Sequence, residues 1–306
     1  MNHPHLTGLI AAPHTPFAAD GSLNLAAIET QAEQLAANGV AAAFVCGTTG
    51  EGSSLTTAER MDVARRWCEA AGATLPVLVN VGHNCLGSSR ELAAHAAASG
   101  AAAIASMGPT FLRPAGLDDL VAWCAETAAA APRLPFYYYH IPSLTGLDFA
   151  MAEFLAAAED HVPTLAGLKY THTDLLDFGR CLTHSGGRFN VLFGRDEMLL
   201  AALALGGRGA VGSTYNFAAP LYHRVIQDFE AGDLAAARAA QAQSREMVAV
   251  LLDSAAMIVT AGKAVMRRVG IDCGPVRPPL RNMTADQIET MIQRLDRGGF
   301  DSYRSR

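Results

Sequence analysis

The chain has 306 residues, half of them hydrophobic and 17% charged, with a net charge of −6. That apolar content supports a large core and excludes a disordered chain, and the acidic balance, with no basic run interleaved with aromatics, excludes a general nucleic-acid surface. No apolar stretch reaches membrane-spanning length free of charges or glycines, MNHPHLTG lacks the blocks of a signal peptide, and the six scattered cysteines form no CxxC pair, so the expectation is a cytoplasmic protein with reduced thiols and no membrane partner.

Short apolar runs recur along the chain, each closed by glycine or polar residues. In order they are TGLIAAPHTP, VAAAFVCG, LPVLVNVG, AAAIASMGP, LPFYYYH, AGLKYT, NVLFG and GAVGST, eight in all. Between them lie helical patterns, among them LNLAAIETQAEQLAANG, TTAERMDVARRWCEAAG, SSRELAAHAAASG, LDDLVAWCAETAAAAP, TDLLDFGRCLTH and DEMLLAALALGG. Several end in glycine, as helix C-termini prefer, and Thr56 with Glu59 forms a capping-box pattern. Strands that alternate with helices imply a parallel sheet, and eight such units imply a closed (β/α)8 TIM barrel of the α/β class. Neither GxGxxG after the first strand nor GxxxxGK[ST] is present to support an open dinucleotide- or nucleotide-binding sheet. The barrel is expected over residues 1–222. Residues 223–306 then hold the closing barrel helix and an appended carboxy-terminal helical segment, with AAPLYHRVIQDFEAG, DLAAARAAQAQSREMVAVLLDSAAM and TADQIETMIQRLD as helices.

Only two of the 23 basic residues are lysines, Lys169 and Lys263. Guanidinium stays protonated and cannot form a Schiff base, whereas a lysine desolvated by apolar surroundings loses its proton near neutral pH. Lys169 lies in the strand-like TLAGLKYT, which makes it the first candidate for a covalent nucleophile towards a carbonyl. The other readings are a lysine paired with a buried carboxylate, or one whose stem snorkels to the surface. Lys263, beside Arg267 and Arg268, reads as a helix-surface charge.

In a barrel the reacting groups gather at the carboxy-terminal strand ends. There the second strand offers GTTGEGSSLT, the fifth Tyr139 and His140, and the sixth Lys169 and Thr171. The seventh adds Gly194, Arg195, Asp196 and Glu197, and the eighth Gly212, Ser213 and Thr214. Convergence on one mouth favours the covalent reading of Lys169. Thr48 and Thr49, between glycines, suit a carboxylate or phosphate, or else a tight turn that caps itself; Glu51 reads as an anchor. Tyr139 could shuttle a proton, but Tyr137, Tyr138 and Tyr139 are consecutive, and alternation alone does not say which faces inward. Asp196 and Glu197 would either accept hydroxyl hydrogen bonds from a polyol or complement a helix dipole, and Asp174 and Asp177 read as helix-start residues. The ten histidines include no HExxH and no carboxylate cluster at ligand spacing, so no metal or other cofactor is expected.

Taken in order and spacing, GTTGEGSSLT, FYYYHIPSLTG, GLKYTHTDLLDFG, FGRDE and GAVGSTYN resemble the N-acetylneuraminate lyase subgroup of the dihydrodipicolinate synthase family, over about residues 6–285. The resemblance implies a (β/α)8 barrel with a carboxy-terminal helical segment, usually a homotetramer, working through a lysine Schiff base on pyruvate-type keto acids. Carried over residue by residue, Lys169 matches the Schiff-base lysine and Tyr139 the catalytic tyrosine. Thr48 and Thr49 match the pair that holds the keto-acid carboxylate. Thr171, Gly194, Asp196, Glu197 and Ser213 match positions that contact the sugar. The implied reaction is cleavage of N-acetylneuraminate to N-acetylmannosamine and pyruvate. The alternatives are a related aldolase or dehydratase on another sugar-derived 2-keto acid, and a non-catalytic keto-acid-binding barrel. Leu144 stands where the synthases carry an arginine for a dicarboxylic partner, which argues against lysine biosynthesis. Phe111 stands near a tyrosine that many relatives contribute across a subunit contact, so a relay through that hydroxyl is absent here. Arg195 has no reading from the sequence.

Overall fold

The computed structural model describes residues 3–306. Strands β1 (Gly8–Ala11), β2 (Ala42–Val45), β3 (Val77–Asn80), β4 (Ala103–Ser106), β5 (Phe136–His140), β6 (Leu165–Tyr170), β7 (Asn190–Phe193) and β8 (Gly209–Gly212) pair in parallel with their chain neighbours. β8 closes on β1, so the sheet is a barrel without edges. Each expected apolar run supplies one strand. Around the barrel run α1 (Ala27–Ala37), α2 (Thr57–Ala71), α3 (Leu86–Ala98), α4 (Leu117–Ala129), the short α5 (Pro142–Thr145), α6 (Met151–Ala158), α7 (Leu175–Thr183), α8 (Leu199–Ala204) and α9 (Tyr215–Glu230). After them come α10 (Leu234–Ser254), α11 (Ile258–Met266) and α12 (Ala285–Arg297). α9 carries residues 222 and 223 in one helix, so barrel and appended segment share that element. Among the described residues no single helix is long and apolar enough to cross a membrane.

Two cores follow from strand alternation. Residues such as Leu9, Val45, Val79, Ile104, Tyr138, Leu168 and Phe193 face the helices, where Trp67, Leu92, Cys124, Phe154 and Phe178 meet them. Ile10, Ala42, Phe44, Leu78, Ala105, Tyr137, Tyr139, Leu192 and Val211 fill the barrel interior. The order of the three tyrosines is thereby settled: Tyr137 and Tyr139 point inward and Tyr138 outward. Tyr137 Oη donates to Asn190 Oδ1 at 3.0 Å, and the same Asn190 ties down Leu6 at the amino-terminal end of the barrel.

The caps explain which helices were readable. Thr56 and Glu59 form the expected capping box of α2, and Asp174 Oδ1 accepts from the amides of Leu176 and Asp177 at the start of α7. Asp177 also caps a helix, but a different one. Its carboxylate accepts from Met151 N at 2.8 Å and Ala152 N at 3.1 Å, which satisfies the first turn of α6. Sequence patterns did not mark α6, because the residue before it is Ala150 and its capping oxygen comes from a later helix.

Lys263 is not a surface charge. It is 3% exposed, its Nζ lies 2.7 Å from Glu51 Oε1, and it donates to Pro275 O at 2.7 Å. Its neighbours Arg267 and Arg268 do reach solvent, but Lys263 points at the barrel because α11 is buried on nearly every side. Burial pushes the ammonium pKa down and Glu51 opposes that shift. Glu51 Oε2 also accepts from Arg277 N at 2.8 Å, and Arg277 in turn grips the carboxylate of Glu59 and the carbonyls of Gly21 and Ser54. The Thr48–Thr49 loop is thus clamped from behind by the appended segment. Lys263→Ala would strand the Glu51 carboxylate in the interior, and denaturant unfolding should register a loss of about 3–5 kcal/mol. A Lys263→Met/Glu51→Leu double variant should recover part of that loss, since no unpaired buried charge remains.

Candidate active site

At the carboxy-terminal end of the barrel a cavity of about 330 Å³ is lined by Thr48, Thr49, Tyr139, Lys169, Thr171, Gly194, Arg195, Asp196, Glu197 and Ser213. Every expected site residue lies on it. They arrive from the carboxy-terminal ends of β2, β5, β6, β7 and β8, which open on one mouth of the closed sheet.

Lys169 is held by a local irregularity. Between β5 and β6 the register shifts, Phe136 pairing with Leu165 and Tyr137 with Gly167, which leaves Ala166 as a bulged residue. Beyond it the pairing is regular and sets Lys169 beside Tyr139. Ala166 therefore faces the interior, Leu168 faces the helices, and Lys169 faces the interior again, a three-residue step that strict alternation would not produce. Gly167 takes up the bulge, since a Cβ there would run into the Asn190 backbone of β7.

The amine of Lys169 lies between two aromatic rings, 4.0 Å from the centroid of Phe44 and 4.1 Å from that of Tyr139. It forms no ion pair among the described residues, and 4% of the residue is exposed. Burial lowers its pKa to about 7, while the carboxylate of Asp196 raises it somewhat. A neutral, nucleophilic amine is therefore accessible near neutral pH. The ring faces offset part of the desolvation of the protonated form. Neither the snorkelling lysine nor the lysine paired with a buried carboxylate fits this geometry.

Tyr139 Oη is 3.2 Å from Thr48 Oγ1. Burial pushes its pKa up to about 12, so the phenol keeps its proton at neutral pH although the contact to Thr48 acts the other way. Thr48 and Thr49 sit in a loop bounded by two non-glycine residues in the left-handed region, Cys46 at φ 57° and Glu51 at φ 52°. Such strain persists only where surroundings over-determine it. Here Asn80 Nδ2 donates to Cys46 O, Thr15 Oγ1 donates to Gly50 O, and Lys263 with Arg277 N holds Glu51.

On the opposite rim, Asp196 is 6% exposed and its Oδ2 accepts from Thr214 N at 2.9 Å and Thr214 Oγ1 at 2.6 Å. Burial raises its pKa to about 6, although both hydrogen bonds from Thr214 resist the change. Gly212 makes room for it: a Cβ there would collide with the carboxylate. Gly194 does the same for Thr171, whose Oγ1 is buried without a hydrogen-bond partner. Arg195, unread in the sequence, pairs with Glu197 at 2.9 Å and forms part of the wall. What the sequence did not reveal is the apolar side of the cleft. Val248 and Leu252 of α10, with Met257 and Ile258 after it, cover the mouth from the appended segment. Gln241 of α10 fastens that helix to the β7–α8 loop, accepting from Leu200 N at 2.7 Å and donating to Asp196 O at 3.2 Å.

The chain is similar to known proteins. The chain is 43% identical over 302 residues to the N-acetylneuraminate lyase of Rattus norvegicus, covering 97% of this chain and 94% of that protein. It is 41% identical over 297 residues to N-acetylneuraminate lyase A of Xenopus laevis, covering 95% and 97%. The solved structure of Proteus mirabilis N-acetylneuraminate lyase superimposes with a TM-score of 0.94 at 42% identity, covering 97% of this chain and all of that one. The model of the dihydrodipicolinate synthetase family matches residues 5–297. By both measures, the chain belongs to the dihydrodipicolinate synthetase family.

Proposed function

We propose that this protein is a class I aldolase that cleaves N-acetylneuraminate to N-acetylmannosamine and pyruvate. The observation that carries the reading is a lysine amine buried between aromatic rings without a carboxylate partner, at a barrel mouth that also holds a tyrosine hydroxyl. Thr48 and Thr49 receive the carboxylate of the open-chain keto acid. Neutral Lys169 adds to the C2 carbonyl, and loss of water leaves an iminium that serves as the electron sink. As the C3–C4 bond breaks, Tyr139 takes the C4 hydroxyl proton while its own passes to the substrate carboxylate. A resident phenolate is not required, in keeping with a pKa near 12. The enamine left on Lys169 is protonated at C3 and hydrolysed, which frees pyruvate and the amine. Thr171, Gly194, Asp196, Glu197 and Ser213 line the part of the cleft assigned to the sugar. Leu144 brings no charge to the wall and Arg195 is already paired with Glu197, so a second carboxylate on the aldehyde partner would find no free cation there. N-acetylmannosamine should therefore outcompete aspartate semialdehyde for pyruvate.

The test is reductive trapping. Pyruvate with borohydride should add one adduct per chain, and with two lysines present peptide mapping should place it on Lys169. An adduct on Lys263, or none, would sink the imine mechanism, as would turnover by Lys169→Arg. Tyr139→Phe should still trap pyruvate yet lower kcat for carbon–carbon cleavage by roughly 10²–10⁴-fold.

The pH dependence follows from the same groups. Addition needs the neutral amine, so kcat/KM should rise with pH through about 7 and level off above it. Asp196 stabilises the protonated amine by its charge, so Asp196→Asn should move that midpoint to lower pH. A rate profile of both proteins with the same substrate checks the sign.

Assembly as a homotetramer in the cytoplasm belongs to the same reading. What supports a subunit contact is the adjacent pair Phe111 and Leu112, 87% and 81% exposed on the β4–α4 loop, an apolar surface that a partner copy would cover. Sedimentation should give four times the chain mass, and Phe111→Asp/Leu112→Asp should shift it to smaller species.

A further inference from the structure

β5 and β6 end side by side, and the residues that leave them on the helix side, away from Lys169, come together outside the barrel wall. His140 is the last residue of β5, paired with Tyr170 of β6, and Thr171 N donates to its carbonyl at 2.8 Å. Its ring faces that of His172 edge-on, with centroids 5.5 Å apart. Asp148, on the loop before α6, brings Oδ1 to 3.7 Å from His172 Nε2. One ligand atom from each of the three lies within 4.8 Å of the other two. A second cavity opens beside them, lined by Asp148, His172, Thr173 and by Thr171 and Arg195 of the active-site cleft.

We propose that His140, Asp148 and His172 form a site for a borderline divalent cation, Zn²⁺ foremost, that adjoins the sugar end of the cleft. His140 is 1% exposed and its Nδ1 is buried with no hydrogen-bond partner, an arrangement that is costly for a polar nitrogen unless a ligand is to meet the ring. Two imidazoles and one carboxylate suit Zn²⁺ and disfavour Mg²⁺ or Ca²⁺, which prefer all-oxygen ligands. A tetrahedral ion with bonds of about 2.0–2.1 Å needs its ligand atoms roughly 3.3 Å apart. The contraction falls on the side chains free to make it, since those of Asp148 and His172 are 72% and 30% exposed while His140 stays fixed. A plain surface ion pair between His172 and Asp148 would leave the buried His140 nitrogen unexplained. Three protein ligands leave one coordination position for water or an anion from the second cavity.

Titration of the chelator-treated full chain with Zn²⁺ alone tests this without any turnover. One ion per chain is expected, and Co²⁺ should give visible d–d bands of a four- or five-coordinate site. His172→Ala and Asp148→Asn alter half-exposed or exposed side chains, and each should weaken Zn²⁺ binding at least tenfold and abolish the Co²⁺ bands. The rival ligands are His3 and His5 in the amino-terminal segment; a His3→Ala/His5→Ala variant should bind as the parent does. The site is overturned if the parent binds no Zn²⁺, if His172→Ala binds as tightly as the parent, or if the stoichiometric ion is lost with His3 and His5. None of these readouts involves Lys169, so the site and the aldolase reading stand or fall separately.

Discussion

The central constraint in this molecule is the desolvation of one amine. Lys169 could be kept charged by a carboxylate at bonding distance, and the interior offers it two ring faces instead. A ring face attracts an ammonium by a small fraction of what water does, so the proton affinity of the amine falls into the range where nucleophile and acid coexist. The remaining charged groups are arranged to keep that balance. Asp196 supplies a moderate opposing field from across the cleft, tempered because its own carboxylate is buried and shared with Thr214. Lys263, the other lysine, has the pairing that Lys169 lacks. One fold thus holds two buried lysines, one met by the Glu51 carboxylate at 2.7 Å and the Pro275 carbonyl, the other by ring faces alone.

A group tuned in this way needs rigid walls, and the closed barrel provides them. Eight parallel strands with no free edge leave little freedom for Phe44, Tyr139 or Lys169 to relax away from one another. The parts of the site that lie beyond the strands, the Thr48–Thr49 turn and the apolar cover, are tied down from outside the barrel. The turn is clamped through Glu51 to Lys263 and Arg277, and the cover is the end of α10, fixed by Gln241. The appended helices are therefore part of the site. They close one side of it and keep the Thr48–Thr49 turn in a backbone conformation that non-glycine residues seldom adopt.

The division of labour between the two sides of the β5–β6 ladder is a consequence of alternation. Tyr139 and Lys169 point into the barrel, while His140 and Tyr170, one residue on, point to the helix layer. A single pair of strands can in this way present the candidate active site on one face and a nitrogen- and oxygen-rich cluster on the other, separated by the thickness of the sheet.

Much of this was legible in the amino-acid order. Eight apolar runs alternating with helical patterns determined the barrel, because period and length distinguish strand from helix locally, and capping oxygens close in sequence marked α2 and α7. That the candidate site residues would gather in one place was legible because strand ends in a barrel must share one mouth. The appended segment, α6 and Lys263 show where local reading stops. α6 takes its capping carboxylate from Asp177, a helix later, and Lys263 has its charge met by Glu51, over two hundred residues away. The inward side of three consecutive tyrosines, and the bulge at Ala166 that lets Lys169 share their interior, were decided by strand register. Register, distant caps and buried ion pairs depend on which elements lie side by side, and that information exists only once the sheet has closed.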